Sequence, residues 1–134
     1  MEKSPFVPNH LHLIVRGFIV NPPTSADSLN AFLSELVSRV RMKVLIGPNS
    51  IYCNDLGNEG VTGTVTLSSS HASMHVWDHQ DPAFFQFDIY SCSEFTVDEV
   101  VGCIQDHFGI ESGSYLFLDR NSDEFAEIER GDLF

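Results

Sequence analysis

The sequence predicts an α+β fold in which an antiparallel sheet carries two helices packed on one face. Three observations lead to that expectation. Strand-like runs follow one another with only short polar loops between them, which favours antiparallel pairing. Two segments repeat apolar residues at three- and four-residue spacing behind good capping residues. The length of 134 residues makes one domain spanning 1–134. With 43% hydrophobic residues the composition is that of an ordinary globular chain. A domain this long buries roughly two-thirds of the surface of its unfolded chain, so it needs no disulfide or metal staple.

The first ten residues read as a loose lead-in. Leu11 to Val20 is rich in β-branched and large apolar residues and reads as a strand. Pro22, Pro23 and the polar residues after them break it and open a helix capped by Ser25 or Asp27. In that helix Leu29, Phe32, Leu33, Leu36, Val37 and Val40 form one buried face. Met42 to Ile46 is a second strand, ended by the Gly47-Pro48-Asn49 turn signal. After a polar stretch come the strand-like VTGTVTLSS, ASMHVW and AFFQFDIYSC, the last two separated by a hairpin-like DHQDP. Thr96 to Glu99 is a capping-box pattern, followed by an apolar face at Val100, Val101, Ile104 and Phe108 and a stop at Gly109. SYLFLDR is the last clear strand, and the acidic tail from Asn121 to Phe134 reads as partly ordered or frayed.

Nineteen acidic against seven basic residues give a net charge of −12. The basic residues are scattered and make no stripe of the kind that nucleic acid or an anionic membrane requires, so neither is an expected partner. The acidic surface reads first as a solvated exterior, and it would also favour a cationic substrate. Cys53, Cys92 and Cys103 form no CxxC pair and no even framework. MEKSPFVPNH lacks the apolar core of a signal peptide. No apolar run approaches the ~20 residues of a membrane-spanning helix. The expected compartment is cytoplasmic and reducing, with free thiols.

Six histidines invite a metal reading. His71, His75 and His79 are four apart, but the segment reads as strand, where four residues span about 13 Å and cannot share one ion. His10 and His12 share a strand face about 7 Å apart, yet the sequence names no third ligand, so no metal site is expected. Cys53 and Cys103 read as small buried hydrophobes. Cys92 differs, because it ends a strand between Ser91 and Ser93, where a thiol can reach an opening.

Three serines followed by His71 read as a polar turn on composition alone. His75, and a cysteine some twenty residues on, change that reading, because serine, histidine and cysteine together suit serinolysis followed by acid–base chemistry. Here the chain resembles the bacterial and archaeal S-adenosylmethionine decarboxylases. That family carries a run like GVSG, then a strand, ESH and IHTW, and a following strand ending DVFTC. This chain has GVTGTVTLSSSHASMHVW and FDIYSC. The match is tight from Gly60 to Cys92, with no gap between the glycine run and the serine, and looser in the flanking elements.

The resemblance implies a two-layer α/β sandwich and a homodimer with active sites near the protomer interface. It also implies self-cleavage between Ser69 and Ser70, dividing 1–134 into 1–69 and 70–134. Ser70 is then the residue whose hydroxyl attacks the preceding carbonyl and which becomes a covalently bound pyruvoyl group. His75 assists that processing, Thr62 supplies a second hydroxyl to it, and Cys92 corresponds to the proton donor of the decarboxylation. A ketoamide of this kind takes up a substrate amine and serves as the electron sink that pyridoxal would otherwise provide.

Departures concentrate at the substrate end. Ser69 stands where the family has glutamate, Leu56 where it has an adenine-stacking phenylalanine, and Ala72 at a neighbouring apolar contact. The ribose-binding WPE is replaced by Trp77-Asp78-His79, leaving Asp78 or Asp81 to substitute, and two extra residues precede Cys92. The leading expectation is therefore a decarboxylase of an amino-acid-type small molecule, with S-adenosylmethionine as default substrate and polyamine (spermidine) synthesis as the pathway. The rivals are the same chemistry on arginine, ornithine or another small amino acid, and a non-processing relative acting as a binding or regulatory protein. A metal enzyme built on His10 and His12 is the distant third.

Overall fold

A computed structural model describes residues 10–121 and 123–134. Apart from His10, the expected lead-in lies outside the described residues. The described residues form seven strands and two helices, in the order β1 (Leu11–Ile19), α1 (Ala26–Arg39), β2 (Val44–Cys53), β3 (Gly60–Leu67), β4 (Ser70–Trp77), β5 (Ala83–Ser91), α2 (Val97–Phe108), β6 (Ile110–Asp119) and β7 (Ala126–Leu133). The strands make one antiparallel sheet in the order β2-β3-β4-β5-β1-β6-β7. Both helices lie against one face, so the expected α+β sandwich is the fold observed. No helix among the described residues is long and apolar enough to cross a membrane.

Local chemistry sets the helix ends. Ser25, not Asp27, caps α1, in a reciprocal box with Ser28. Thr96 and Glu99 form the box of α2, and Gly109, at φ 65°, ends it. The apolar stripes of the two helices meet over the sheet. There Phe32 of α1 packs edge-on to Phe87 of β5, ring centroids 6.2 Å apart, and against Phe108 of α2 at 4.9 Å. Alternation along the strands does the rest. In β1 Leu13, Val15 and Ile19 are buried under the helices, as are Ala72, Met74 and Val76 in β4 and Phe85, Phe87 and Ile89 in β5. Residues of opposite parity in these strands, His12, Ile14, Arg16, His71, Ser73, His75, Phe84, Gln86 and Asp88 among them, face the helix-free side.

Three expectations change. Gly47-Pro48-Asn49 does not end β2. The strand continues to Cys53, with register shifts at Val44/Ile46 and Ile46/Asn49 that place extra residues opposite β3. A proline is tolerated there because β2 is a sheet edge, where its missing N–H breaks no ladder bond. The acidic tail is not frayed: from Ala126 it forms β7, the other edge, in register with β6. Cys53 is only half-buried at the end of that outer strand, whereas Cys103 is buried as expected, and burial pushes its thiol up to about 11.

Both glycines of the GVTG run are demanded by packing. Gly60 has φ +151°, and a Cβ there would stand 1.7 Å from the Val76 carbonyl oxygen. A Cβ on Gly63 would stand 2.1 Å from Ser50 Oγ and 2.7 Å from Leu29 Cδ2, where α1 crosses β3. We expect Gly63→Ala to lower the free energy of unfolding by about 1–3 kcal/mol through overpacking. Urea denaturation would register this as a lower midpoint at unchanged slope; an unchanged midpoint would contradict the close α1–β3 contact.

Candidate active site

The β3–β4 hairpin places the serine run. Leu67 pairs with Ser70, so Ser68 and Ser69 are the whole connection. Ser69 adopts φ 59°, a left-handed conformation that few non-glycine residues take. The β4–β5 register, with His71 opposite Tyr90, brings Ser70 to the end of β5, just where Cys92 follows. The Cys92 N–H donates to Ser70 Oγ at 3.2 Å, and Cys92 Sγ lies 3.8 Å from the same oxygen. The Ser70 hydroxyl donates to the Ser68 carbonyl at 3.3 Å, and the Cys92 thiol lies 3.6 Å from that carbonyl. Ser70 and Cys92, both half-buried, thus form one cluster with the exposed turn at the hairpin tip.

Thr62 and His75 form a second pair. They are cross-strand partners on β3 and β4, and Thr62 Oγ1 and His75 Nδ1 are hydrogen-bonded at 3.1 Å. This pair does not meet the first within the chain. His75 is five residues beyond Ser70 on one strand, about 17 Å along it.

The candidate substrate residues divide differently. Leu56 is 98% exposed in the β2–β3 loop. Asp78, one residue past β4, accepts a hydrogen bond from the Tyr52 hydroxyl at 2.9 Å, and that bond raises the Tyr52 phenol above its ordinary pKa. Both belong to the end of the sheet that holds Thr62 and His75. Ala72 is fully buried on the helix side of β4, with its side chain facing away from the open face.

The open face carries a residue that sequence reasoning passed over. Asp88 on β5 accepts from His12 Nε2 at 2.8 Å and from the Ser73 hydroxyl, and His71 Nε2 lies 3.5 Å away. Burial alone would raise the Asp88 carboxyl. The hydrogen bonds from His12 and Ser73, with the charges of His12 and His71, outweigh burial and hold it below the usual carboxylate range. The available signal was the aspartate of FDIYSC, which stands where the compared motif also has one. His10, read together with His12 as a possible ligand pair, instead hydrogen-bonds the Tyr90 hydroxyl at 2.5 Å. Among the described residues no group of three or more His, Cys, Asp or Glu is arranged to hold a metal ion.

A shallow groove of about 350 Å³ runs along this face, lined by His75, Gln86, Arg16, Asp88, His12 and Ile14. His75 of the second pair therefore opens onto a space of ligand size, while the first pair stands at the other end of β4.

Comparison with known proteins agrees with this architecture. The family profile of S-adenosylmethionine decarboxylase (AdoMet_dc) matches residues 11–121. Among solved structures, the AdoMetDC-delta26 monomer of Trypanosoma brucei is similar, with a TM-score of 0.50 and 12% identity. That similarity, which at such identity concerns the fold, covers 84% of this chain and 46% of that one, so the chain spans under half of this longer relative. No curated protein matches the chain. With the profile covering most of its length, the chain belongs to the S-adenosylmethionine decarboxylase family.

Proposed function

We propose that the chain is the precursor of a pyruvoyl-dependent decarboxylase that acts on S-adenosylmethionine in polyamine synthesis and matures by cleaving itself between Ser69 and Ser70. The observation that carries this reading is the hydrogen bond from the Cys92 N–H to Ser70 Oγ at the tip of a two-residue turn. It fixes the hydroxyl oxygen beside a thiol, next to a peptide whose preceding residue is left-handed.

Cleavage follows as ordinary acyl chemistry. Ser70 Oγ bonds to the Ser69 carbonyl carbon, the Ser69–Ser70 C–N bond breaks, and the hydroxyl proton passes to the freed nitrogen. Loss of the residue-70 α-proton and of the Ser69 carboxylate then opens the ester. Water replaces the nitrogen as ammonia, leaving the pyruvoyl group at position 70. Residue 70 fits such a group, being half-buried with a donor N–H and a thiol at hand. Once formed, the group supplies an electron sink for an amine substrate. Cys92 is the proton carrier beside it and serves to protonate the substrate carbon after carbon dioxide leaves. A reducing cytoplasmic compartment keeps that cysteine a thiol.

The roles assigned to Thr62 and His75 require them near Ser70, from which they stand about 17 Å away along β4. A second copy of the chain resolves this. In a twofold homodimer packed through the open face, Thr62 and His75 of one copy complete the Ser70–Cys92 cluster of the other. A second substrate reading, arginine or ornithine, is favoured by the solvent-exposed Leu56 and by Asp78 being engaged with Tyr52, which leave these two positions without a preformed nucleoside contact.

Carbon dioxide release from carboxyl-labelled S-adenosylmethionine is expected to exceed release from labelled arginine or ornithine, and Ser70→Ala is expected to abolish it. Release from a basic amino acid alone would select the second reading, and release undiminished by Ser70→Ala would refute both. Mixing separately inactive Ser70→Ala and His75→Ala chains is expected to restore about a quarter of wild-type activity, because half of randomly paired dimers hold one intact composite site of two. No recovery in dimers shown to be mixed would place each site within one chain.

A further inference from the structure

Among the described residues one polar side chain is fully buried, that of Ser91, and neither cleavage nor proton transfer uses it directly. Alternation explains why it faces inward. It follows Phe85, Phe87 and Ile89 on the helix side of β5, and its backbone pairs with Leu11 of β1. A hydroxyl in that position needs partners within the protein. It finds them two residues on. The Ser91 hydroxyl donates to the Ser93 carbonyl at 2.9 Å, and the Ser93 N–H donates back to Ser91 Oγ at 2.9 Å. Serine side chains hold turns by bonding the backbone ahead of them in this way. Here the residue enclosed by the turn is Cys92.

The Ser70–Cys92 cluster is thereby held from two sides. On one side the Ser68 N–H donates to the Lys43 carbonyl at 3.0 Å, which anchors the β3–β4 turn through backbone alone. On the other side the anchors are the Ser91 hydroxyl and, beyond it, Phe95, which is buried and packs on Phe117 with ring centroids 5.4 Å apart. Between these anchors Cys92 presents its N–H to Ser70 Oγ and its thiol to the Ser68 carbonyl. Rotation of the backbone from 91 to 93 would swing both away, and the two bonds between Ser91 and Ser93 oppose it.

We infer that Ser91 is a positioning residue for both cleavage and proton delivery, acting through Cys92 and touching no reacting atom itself. The inference rests on the proposed reading for the identity of the reaction. Without the hydroxyl, the exposed Ser93 backbone bonds to water instead, so the fold survives while the turn around Cys92 loses its hold. Misplacing a reacting group by about 1 Å is enough to cost up to about a hundredfold in rate. The compared motif DVFTC has threonine where FDIYSC has Ser91, and threonine is the other residue with a hydroxyl on Cβ.

Three variants separate the hydroxyl from the space it fills. Ser91→Ala removes the hydroxyl, Ser91→Thr keeps it and adds a methyl, and Ser91→Val adds similar bulk without it. Intact mass follows the rate of self-cleavage, and carbon dioxide release from carboxyl-labelled S-adenosylmethionine is then measured on the fully cleaved fraction. Ser91→Ala and Ser91→Val are expected to slow cleavage at least about tenfold. They should lower kcat by a similar factor, with KM within about twofold of wild type. Ser91→Thr is expected to stay within about threefold of wild type in both steps, because its hydroxyl reaches the same two groups. Circular dichroism should be the same in all four chains; if Ser91→Ala fails to fold, the comparison of threonine with valine decides alone. Equal impairment of Ser91→Thr and Ser91→Val would make Ser91 a packing residue and overturn the inference. So would a Ser91→Ala chain that cleaves and turns over like wild type. A wild-type chain that never cleaves would overturn the proposed reading and this inference with it, whereas a cleaving wild type matched by Ser91→Ala overturns this inference alone.

Discussion

The antiparallel register between β4 and β5 sets which side chains meet at the tip of the β3–β4 hairpin. It pairs His71 with Tyr90, so Ser70 arrives at the end of β5 and its hydroxyl receives the Cys92 N–H. A slip of one residue would send His71, Ser73 and His75 under the helices and Ala72, Met74 and Val76 to the open face. The cost of burying two histidines and exposing Met74 and Val76 therefore holds the serine beside the thiol. The two-residue turn adds to this by leaving Ser69 no freedom to move away from that register. Core packing on one face of the sheet thus fixes which side chains meet at its end.

Those elements whose residues see a clear inside and outside were legible in the sequence. The stripes of α1 and α2 and the alternation of β1, β4 and β5 follow directly from one covered and one open face. The edges were legible only in the first residues of β2, and the rest was missed for a shared reason. β2 contains Gly47-Pro48, and β7 contains Glu127, Glu129 and Arg130. An edge strand tolerates proline and charge that a central strand would reject, so its sequence looks like a turn or a tail. Only pairing with β3 or β6 makes these segments strands, and pairing leaves little mark on the residues themselves.

The candidate site was legible as a set of residues and opaque as geometry. Ser70 with Cys92 and Thr62 with His75 form two bonded pairs, and it was the family resemblance that named these four residues together. What spacing hid is that a strand turns five residues into about 17 Å, so the two pairs stand apart within one chain. Parity along the strand explains Ala72, which lies next to His71 in sequence and on the opposite face in space. Asp88 with His12, His71 and Ser73 went unremarked as a cluster because they come from three strands, and only the sheet order sets them side by side.

The central claim is that Ser69–Ser70 is a bond made to be broken, and the intact mass of the purified protein tests it most directly. The account predicts two chains, residues 1–69 and 70–134, the second lighter by one ammonia than a chain that begins with serine. A single species at 15.0 kDa, unchanged on prolonged incubation, would contradict it.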